Sequence, residues 1–133
     1  MSVDVEELAR ITLDCGYNLH REIGPGLLET VYEILLEEFL IERGLRVERQ
    51  KIVPIMFRGR PLDEAFRVDL LLEGRLVIEL KSTERHAPVH ANQLLTYLRL
   101  MGLPLGLLMN FGAPSFKEGV KRLANNYYRP LAS

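Results

Sequence analysis

The 133-residue sequence lacks several features that define whole classes of protein. Cys15 is the only cysteine, so an internal disulfide is excluded and a reducing, cytoplasmic setting is expected. The longest apolar runs, such as residues 103–109, are far too short to cross a bilayer, so we expect no membrane partner. The acidic segment of residues 1–7 has none of the features of a signal peptide. These absences together predict a cytoplasmic protein.

Repeats and several common catalytic motifs are also missing. No internal repeat, low-complexity tract or linker divides the chain, so we expect one domain over residues 1–133. The sequence contains no G-x-S-x-G or H-E-x-x-H motif, which leaves serine hydrolases and zincins without support. His86 and His90 are four residues apart, but Pro88 lies between them and no further ligand completes a zinc site.

The charge of the chain is small in total but unevenly distributed. Net charge is −1, which argues against a protein that coats nucleic acid without selection. Residues 1–44 hold 3 basic and 10 acidic residues, whereas residues 45–133 hold 14 basic and 8 acidic residues. The basic part is compatible with a polyanionic substrate. Two oppositely charged solvated faces are the alternative, and charge alone does not separate the two interpretations.

Hydrophobic periodicity predicts the element order α-α-β-β-β-α-β-α. The predicted helices span about 4–23, 28–43, 90–101 and 115–127, and the predicted strands about 45–57, 65–72, 76–82 and 105–110. Pro54 favours a bent or bulged edge strand. The third strand, third helix and fourth strand form a parallel crossover unit. We therefore predict an α/β fold (an α+β mixed sheet), with a central four-stranded sheet and helices on both faces.

The second and third predicted strands carry the residues with the most informative chemistry. Their alternating apolar positions are Phe66, Val68, Leu70 and Leu72 on one strand, and Leu76, Ile78 and Leu80 on the next. Burying both sets on one face pairs Leu70 with Ile78, which sets Asp69 opposite Glu79 on the other face. Lys81 shares that face with Glu79 because side chains two apart on a strand point the same way.

Two carboxylates at this position need a compensating charge. At about 4 Å they repel by roughly 4 kcal/mol at an effective dielectric constant of 20. Lys81 offsets part of this repulsion, and a hard divalent cation offsets more because carboxylate oxygens are its preferred ligands. The alternative is a surface ladder of salt bridges, which contributes little to stability.

Several motifs in a fixed order carry a resemblance to a known family. They are G-L-L-E-T-V-Y with Gly26, Glu29 and Tyr32, V-E-R-Q at 47–50, F-R-V-D ending at Asp69, E-L-K at 79–81, Q-L-L-T-Y at 93–97 and N-F-G at 110–112. Together they resemble the small bacterial GxxExxY proteins, within the PD-(D/E)XK, or restriction-endonuclease-like, nuclease superfamily. The resemblance covers residues 20–126. Val68 stands where the motif name has proline, a position that shapes the strand and is not a ligand.

The resemblance implies a metal-dependent site. Asp69, Glu79 and the backbone carbonyl of Leu80 would hold Mg²⁺ or Mn²⁺, and Lys81 would orient or deprotonate a water or stabilise charge in the transition state. Glu29 would serve as a further ligand or as a carboxylate beside the metal. The alternative for Glu29 is stabilisation of the helix dipole.

The resemblance also assigns substrate contacts to the third helix and the loop before it. Gln93 would brace the catalytic lysine or the substrate backbone, and Tyr97, one turn later, would contact nucleic acid. An ordinary polar helix face with a half-buried tyrosine is the alternative. His90 and Arg85 are candidates for contacts with phosphates.

The sequence therefore predicts a Mg²⁺- or Mn²⁺-dependent nuclease that hydrolyses phosphodiester bonds in DNA. One alternative is a catalytically weak or silent module of the same fold that binds nucleic acid or a partner protein. Another is a structural α/β domain with an incidental acidic cluster. The chain has no room for a separate DNA-reading domain, so we expect a homodimer or a partner protein. Tyr127 and Tyr128 could make such a contact or pack on their own core.

Overall fold

The computed structural model describes residues 4–128. The helices are α1 (Val5–Ile23), α2 (Glu29–Glu42), α3 (Pro88–Met101) and the short α4 (Phe116–Gly119). The strands are β1 (Val47–Phe57), β2 (Arg60–Leu72), β3 (Leu76–Lys81), β4 (Leu105–Asn110) and β5 (Val120–Ala124). They form one mixed sheet in the order β1-β2-β3-β4-β5, in which only β3 and β4 are parallel. None of the described helices is long and apolar enough to cross a membrane.

Two apolar cores lie on opposite faces of the sheet, which confirms the predicted layers. The first core joins α1 and α2 to the sheet residues Leu70, Leu72, Leu76, Ile78, Leu80, Leu105, Leu107 and Met109. The second joins α3 to Val53, Val68, Leu71, Val77 and Leu108. Every residue of β4 is buried, as expected for a short apolar strand covered on both faces.

The predicted pairing of β2 with β3 is confirmed. Leu70 lies opposite Ile78 and Leu72 lies opposite Leu76. The predicted bulge is also present, because the register of β1 against β2 shifts between Val53 and Ile55, on either side of Pro54. Since β1 is the edge strand, the proline removes no ladder hydrogen bond from the interior of the sheet.

The prediction that Phe66 and Val68 share a face with Leu70 is wrong. Phe66 and Val68 pack in the core beneath α3, whereas Leu70 packs in the core beneath α1 and α2. Pairing of β2 with β3 begins only at Leu70, and Gln50 on the neighbouring strand has a φ of +53°. A left-handed residue interrupts the regular alternation of a strand. The two strands therefore separate at Asp69.

The predicted four-stranded sheet and long final helix are also wrong. The helix α4 is one turn long, and β5 follows it, antiparallel to β4. Val120 packs against the first core and Leu123 against the second, and residues three apart lie on opposite faces only in a strand. Without β5, the outer edge of the buried strand β4 would leave backbone groups unpaired. The tail then returns to α1, where the Tyr127 hydroxyl donates to Glu6 Oε2 at 2.8 Å.

Candidate active site

Two carboxyl side chains replace the backbone ladder where β2 and β3 separate. The Leu80 amide donates to Asp69 Oδ2 at 2.8 Å, and the Asp69 amide donates to Glu79 Oε1 at 3.3 Å. Each strand thus hydrogen-bonds the acidic side chain of the other. The structure brings the carboxyls of Asp69 and Glu79 together, and the main chain of Leu80 lies against Asp69.

Glu79 is the most strongly perturbed of these groups. It is only 7% exposed, and burial, followed by the charge of Asp69 and a hydrogen bond with it, raises the pKa of Glu79 to about 9. The positive charge of Lys81 opposes this rise but is the smallest of the causes. In the metal-free protein Glu79 therefore holds a proton at neutral pH, because two adjacent ionised carboxylates are unfavourable in a buried site.

Asp69 is held from its other side by a side chain of β1. Gln50 Nε2 donates to Asp69 Oδ1 at 3.2 Å and to Glu33 Oε1 at 2.6 Å. Glu33 is itself buried on α2 and forms an ion pair with Arg49 at 3.0 Å. Burial raises the pKa of Glu33, and the hydrogen bonds from Arg49 and Gln50 lower it. A chain of polar contacts thus joins α2 to Asp69.

Sequence reasoning missed Glu33 and the role of Gln50. The only signal for Glu33 is its position next to Tyr32 and three residues before Leu36, which are fully buried positions of the same helix. A buried acid at such a position requires a partner. Gln50 closes the V-E-R-Q motif, but its amide reaches Asp69 only through the pairing of β1 with β2.

Glu29 and Lys81 lie beside the carboxyl pair. Glu29 is the first residue of α2. Burial raises the pKa of Glu29, the charge of Lys81 lowers it, and the charge of Asp69 raises it, so both groups lie within electrostatic reach. Within residues 4–128, no group of three or more His, Cys, Asp or Glu side chains has the geometry of a metal site. The arrangement is a two-carboxylate site, and the role of Glu29 as a ligand stays a prediction.

The helix α3 closes the site on another side. The pKa of Tyr97 is raised by burial and then by the charges of Glu79 and Asp69, and the nearby Gln93 side chain opposes the rise. Its ring stacks on Phe66 at 4.2 Å between centroids. The tyrosine is therefore half-buried, and it links α3 to β2 next to the carboxyl pair.

The other two residues predicted to contact nucleic acid, His90 and Arg85, occupy different positions relative to the carboxyl pair. Burial, followed by the charge of Lys81, lowers the pKa of His90, and the buried His90 Nδ1 has no hydrogen-bond partner among the described residues. Arg85 is exposed in the loop before α3, where its carbonyl oxygen accepts from Thr83 Oγ1 at 2.8 Å. The structure thus brings His90 within reach of Lys81, and it shows Arg85 on the adjoining loop without a contact to the carboxyl pair.

The Gly26, Glu29 and Tyr32 signature positions the start of α2. Tyr32 is fully buried, as predicted for a packing residue, and its ring stacks on Phe111 at 4.6 Å. Its hydroxyl donates to the Gly24 carbonyl at 2.5 Å and accepts from the Leu27 amide at 3.2 Å. Gly26 has a φ of +109°, which favours glycine. The loop before Glu29 is therefore fastened to the core.

Comparison with known families agrees with this geometry. A family model described as the PD-(D/E)XK nuclease superfamily matches residues 6–123. The chain belongs to the PD-(D/E)XK nuclease superfamily. No curated protein and no solved structure shows significant similarity to it. The mixed sheet flanked by helices is consistent with the restriction-endonuclease-like fold. Membership indicates a nuclease-type function that involves nucleic acid, in a superfamily whose members typically use divalent metals.

The residues of the site fit a divalent cation. Two adjacent carboxyls, one of which keeps its proton up to a pH of about 9 when no cation is bound, offer oxygen ligands to a divalent cation that would take the place of that proton. Mg²⁺ is commonly bound by one or two carboxylates, with waters and substrate phosphates completing the octahedron. A two-carboxylate site therefore suffices for such an ion without a third acidic ligand.

Proposed function

We propose that this protein is a nuclease that hydrolyses phosphodiester bonds in DNA with Mg²⁺ or Mn²⁺ held by Asp69 and Glu79. The carboxyl pair at the point where β2 and β3 separate carries the proposal. In an exposed salt-bridge ladder both acids would be solvated. Here one of them is buried, and its pKa is about 9. Such a pair is unfavourable unless a cation or a proton compensates it.

Each residue of the site has a role that follows from its position. Asp69 and Glu79 would hold the ion, with the Leu80 carbonyl as a further ligand. The ion, when bound, polarises the phosphodiester and lowers the pKa of a bound water. Lys81 orients that water or stabilises the negative charge that develops on the phosphate. Glu29 would serve as a further ligand or as a carboxylate beside the metal, since the charges of Lys81 and Asp69 both act on it.

Residues of α3 and the preceding loop complete the proposed site. Gln93 and Tyr97 are paired on the side of the carboxyl pair that α3 covers, and His90 lies near Lys81. We propose that Gln93 braces the substrate backbone and that Tyr97, His90 and Arg85 contact the nucleic acid. The Gly26-Glu29-Tyr32 signature supports assignment to the GxxExxY proteins, and we propose one cytoplasmic nuclease domain over residues 1–133. We further propose a homodimer or a partner protein, since a nuclease core by itself recognises little sequence.

Two measurements on the same variants test the function. Mn²⁺ binding is measured from the loss of the free-ion EPR signal for the parent, Asp69→Asn, Glu79→Gln and Lys81→Ala. Cleavage is measured on supercoiled plasmid, linear duplex, single-stranded DNA and RNA, with Mn²⁺, Mg²⁺ or chelator. Glu38→Gln, an exposed glutamate on α2, is the matched control.

We expect Asp69→Asn and Glu79→Gln to lose Mn²⁺ binding and cleavage together, and Lys81→Ala to lose cleavage but keep Mn²⁺ binding. Glu38→Gln should behave as the parent in both assays. Cleavage that persists in the Lys81 and Glu79 variants would come from a contaminant and would contradict the proposal. Mn²⁺ binding by the parent without cleavage of any substrate would identify a silent binding module instead.

A further inference from the structure

The pairing of β1 with β2 continues well beyond the rest of the sheet. It extends to Phe57 opposite Arg60, whereas the pairing of β2 with β3 begins at Leu70. Residues 51–67 therefore lie where β1 and β2 pair with each other without β3, and we call them the hairpin arm. At about 3.3 Å per residue, the arm extends roughly 20–25 Å from the level of Asp69.

The base of the hairpin arm is fixed next to the active site. Val53 and Val68 are buried in the core beneath α3. The Phe66 ring is stacked on Tyr97 with an interplanar angle of 9°, and the charges of Glu79 and Asp69 act on Tyr97. The direction of the arm is thus set by the same helix that closes the site around Asp69 and Glu79.

The tip of the arm holds an arginine in an unusual backbone conformation. Arg58 and Gly59 form a two-residue turn with φ values of +49° and +78°. This turn type favours asparagine, aspartate or glycine at its first position, and L side chains rarely adopt such angles. The Arg58 guanidinium lies over the Phe57 ring, 5.3 Å from its centroid. Arginine therefore stands at this position against the local backbone preference.

The surface of the arm is cationic and apolar together. Residues 51–67 contain four basic and two acidic residues, and the tip of residues 56–60 contains two arginines and no acid. Met56 and Phe57 at the tip are 67% and 59% exposed. A symmetric contact with a second copy would bring like-charged arginines together, which is unfavourable. A polyanion complements this charge, and a two-stranded ribbon fits the major groove of B-DNA, which is about 12 Å wide.

We propose that the hairpin arm binds the DNA duplex that lies in the active site, with its tip in the major groove and with Arg58 and Arg60 against phosphates. This inference rests on the proposed nuclease function and specifies its substrate as double-stranded DNA. The arm acts only in binding, and the Asp69–Glu79 pair carries out the chemistry.

Arg58→Asn tests DNA binding without weakening the fold. An Asn-Gly turn suits this hairpin better than Arg-Gly, so we expect Tm to rise by about 2–4 °C. Loss of one phosphate contact should weaken binding about fivefold to tenfold at 0.1 M salt and lower the slope of log K against log[salt] by about 0.9. Arg58→Asn/Arg60→Gln should lower that slope by about 1.8. Lys121→Asn on β5, at the opposite edge of the sheet, is the control with the same charge loss.

Affinity is measured by fluorescence anisotropy of a 30-base-pair duplex and of its single strand, with chelator present so that no cleavage occurs. If Arg58→Asn has the affinity and salt slope of Lys121→Asn, the arm does not contact DNA. An equal or larger loss on the single strand would overturn the duplex assignment. Sedimentation that shows a dimer dissociated by Arg58→Asn, with unchanged DNA binding, would assign the arm to self-association.

The outcomes also distinguish this inference from the proposed function. The parent protein could bind duplex DNA in a way that depends on the hairpin arm and yet cleave nothing with Mn²⁺. That result would support DNA binding by the arm and overturn the proposed nuclease function. Cleavage by the parent that depends on Lys81, together with DNA affinity unchanged in the arm variants, would support the nuclease and overturn the arm.

Discussion

Replacing Glu79 by glutamine should stabilise the metal-free protein, and increasingly so as the pH rises. The pKa of Glu79 is raised to about 9 in the folded chain from an ordinary value of 4.5. Below 4.5 both the folded and unfolded states hold the proton, so the folded state has no disadvantage. Between pH 4.5 and 9 the unfolded state loses the proton and the folded state keeps it, so stability falls as the pH rises. Glutamine does not titrate and avoids this loss.

The magnitude follows from the size of the shift. Each unit of pKa difference corresponds to about 1.4 kcal/mol, so the parent should lose up to about 4 kcal/mol at this position between pH 5 and pH 8. That upper bound is a large share of the 5–15 kcal/mol that typically stabilises a domain. The difference between Glu79→Gln and the parent should therefore be small at pH 5 and several kcal/mol at pH 8.

Urea denaturation with chelator, at pH 5, 6, 7 and 8, measures this difference. All other titrating groups are shared by the two proteins, so the pH-dependent part of the difference isolates position 79. Glu38→Gln should run parallel to the parent at every pH. Saturating Mn²⁺, at about 100 times its Kd, should stabilise the parent by about 2.7 kcal/mol and leave Glu79→Gln unchanged. A constant offset between Glu79→Gln and the parent across the pH range would refute the reasoning.

Three further substitutions, and a fourth as a control, test the supports of the site. Gln50→Gly relieves a φ of +53° but removes the amide that donates to Asp69, so the free energy of unfolding should stay within about 1 kcal/mol of the parent. Mn²⁺ affinity, measured by EPR, should fall about tenfold to hundredfold. Unchanged affinity would exclude a positioning role for Gln50. Tyr32→Phe leaves the Gly24 carbonyl and the Leu27 amide without their partner, and it should lower the free energy of unfolding, measured in urea, by about 1–3 kcal/mol. Stability equal to that of the parent would show that this hydroxyl does not hold the loop. Gly112→Ala places a Cβ 2.3 Å from the Thr83 carbonyl oxygen and should lower stability by about 3 kcal/mol. Gly44→Ala, where open space surrounds the Cβ, tests the left-handed backbone alone and should cost about 1 kcal/mol. Equal losses for the two glycines would contradict the close contact.

Local pattern was sufficient for most of the helices and strands and for one register. The alternation of leucine and isoleucine along β2 and β3 specifies that Leu70 faces Ile78, because a slip of one residue would expose the whole apolar set. That register brings Asp69 towards Glu79. Asp4 caps the start of α1, and the left-handed Gly102 ends α3. Both features depend on chemistry within one turn, which the neighbouring sequence carries.

Strand alternation was a poor guide wherever the backbone leaves regular geometry. Phe66 and Val68 change faces relative to Leu70 because the strands separate at Asp69 and Gln50 is left-handed. Residues 115–127 have the composition of a helix, but β4 needs a partner along its outer edge, and β5 supplies it. Neither feature can be predicted from the neighbouring sequence, because each depends on whether the backbone groups of a distant segment have hydrogen-bond partners.

The sequence by itself determined which charged residues lie on which strand, since side-chain periodicity and apolar burial act over a few neighbouring residues. It also determined the loop that Gly26 permits before Glu29. Only the tertiary structure decided that Glu79 is buried beside the half-buried Asp69, that Gln50 and Glu33 brace Asp69 from another strand and a helix, and that Glu79 holds a proton. Those properties arise from desolvation and from contacts between residues distant in the chain, and both exist only once the sheet and its helices have packed.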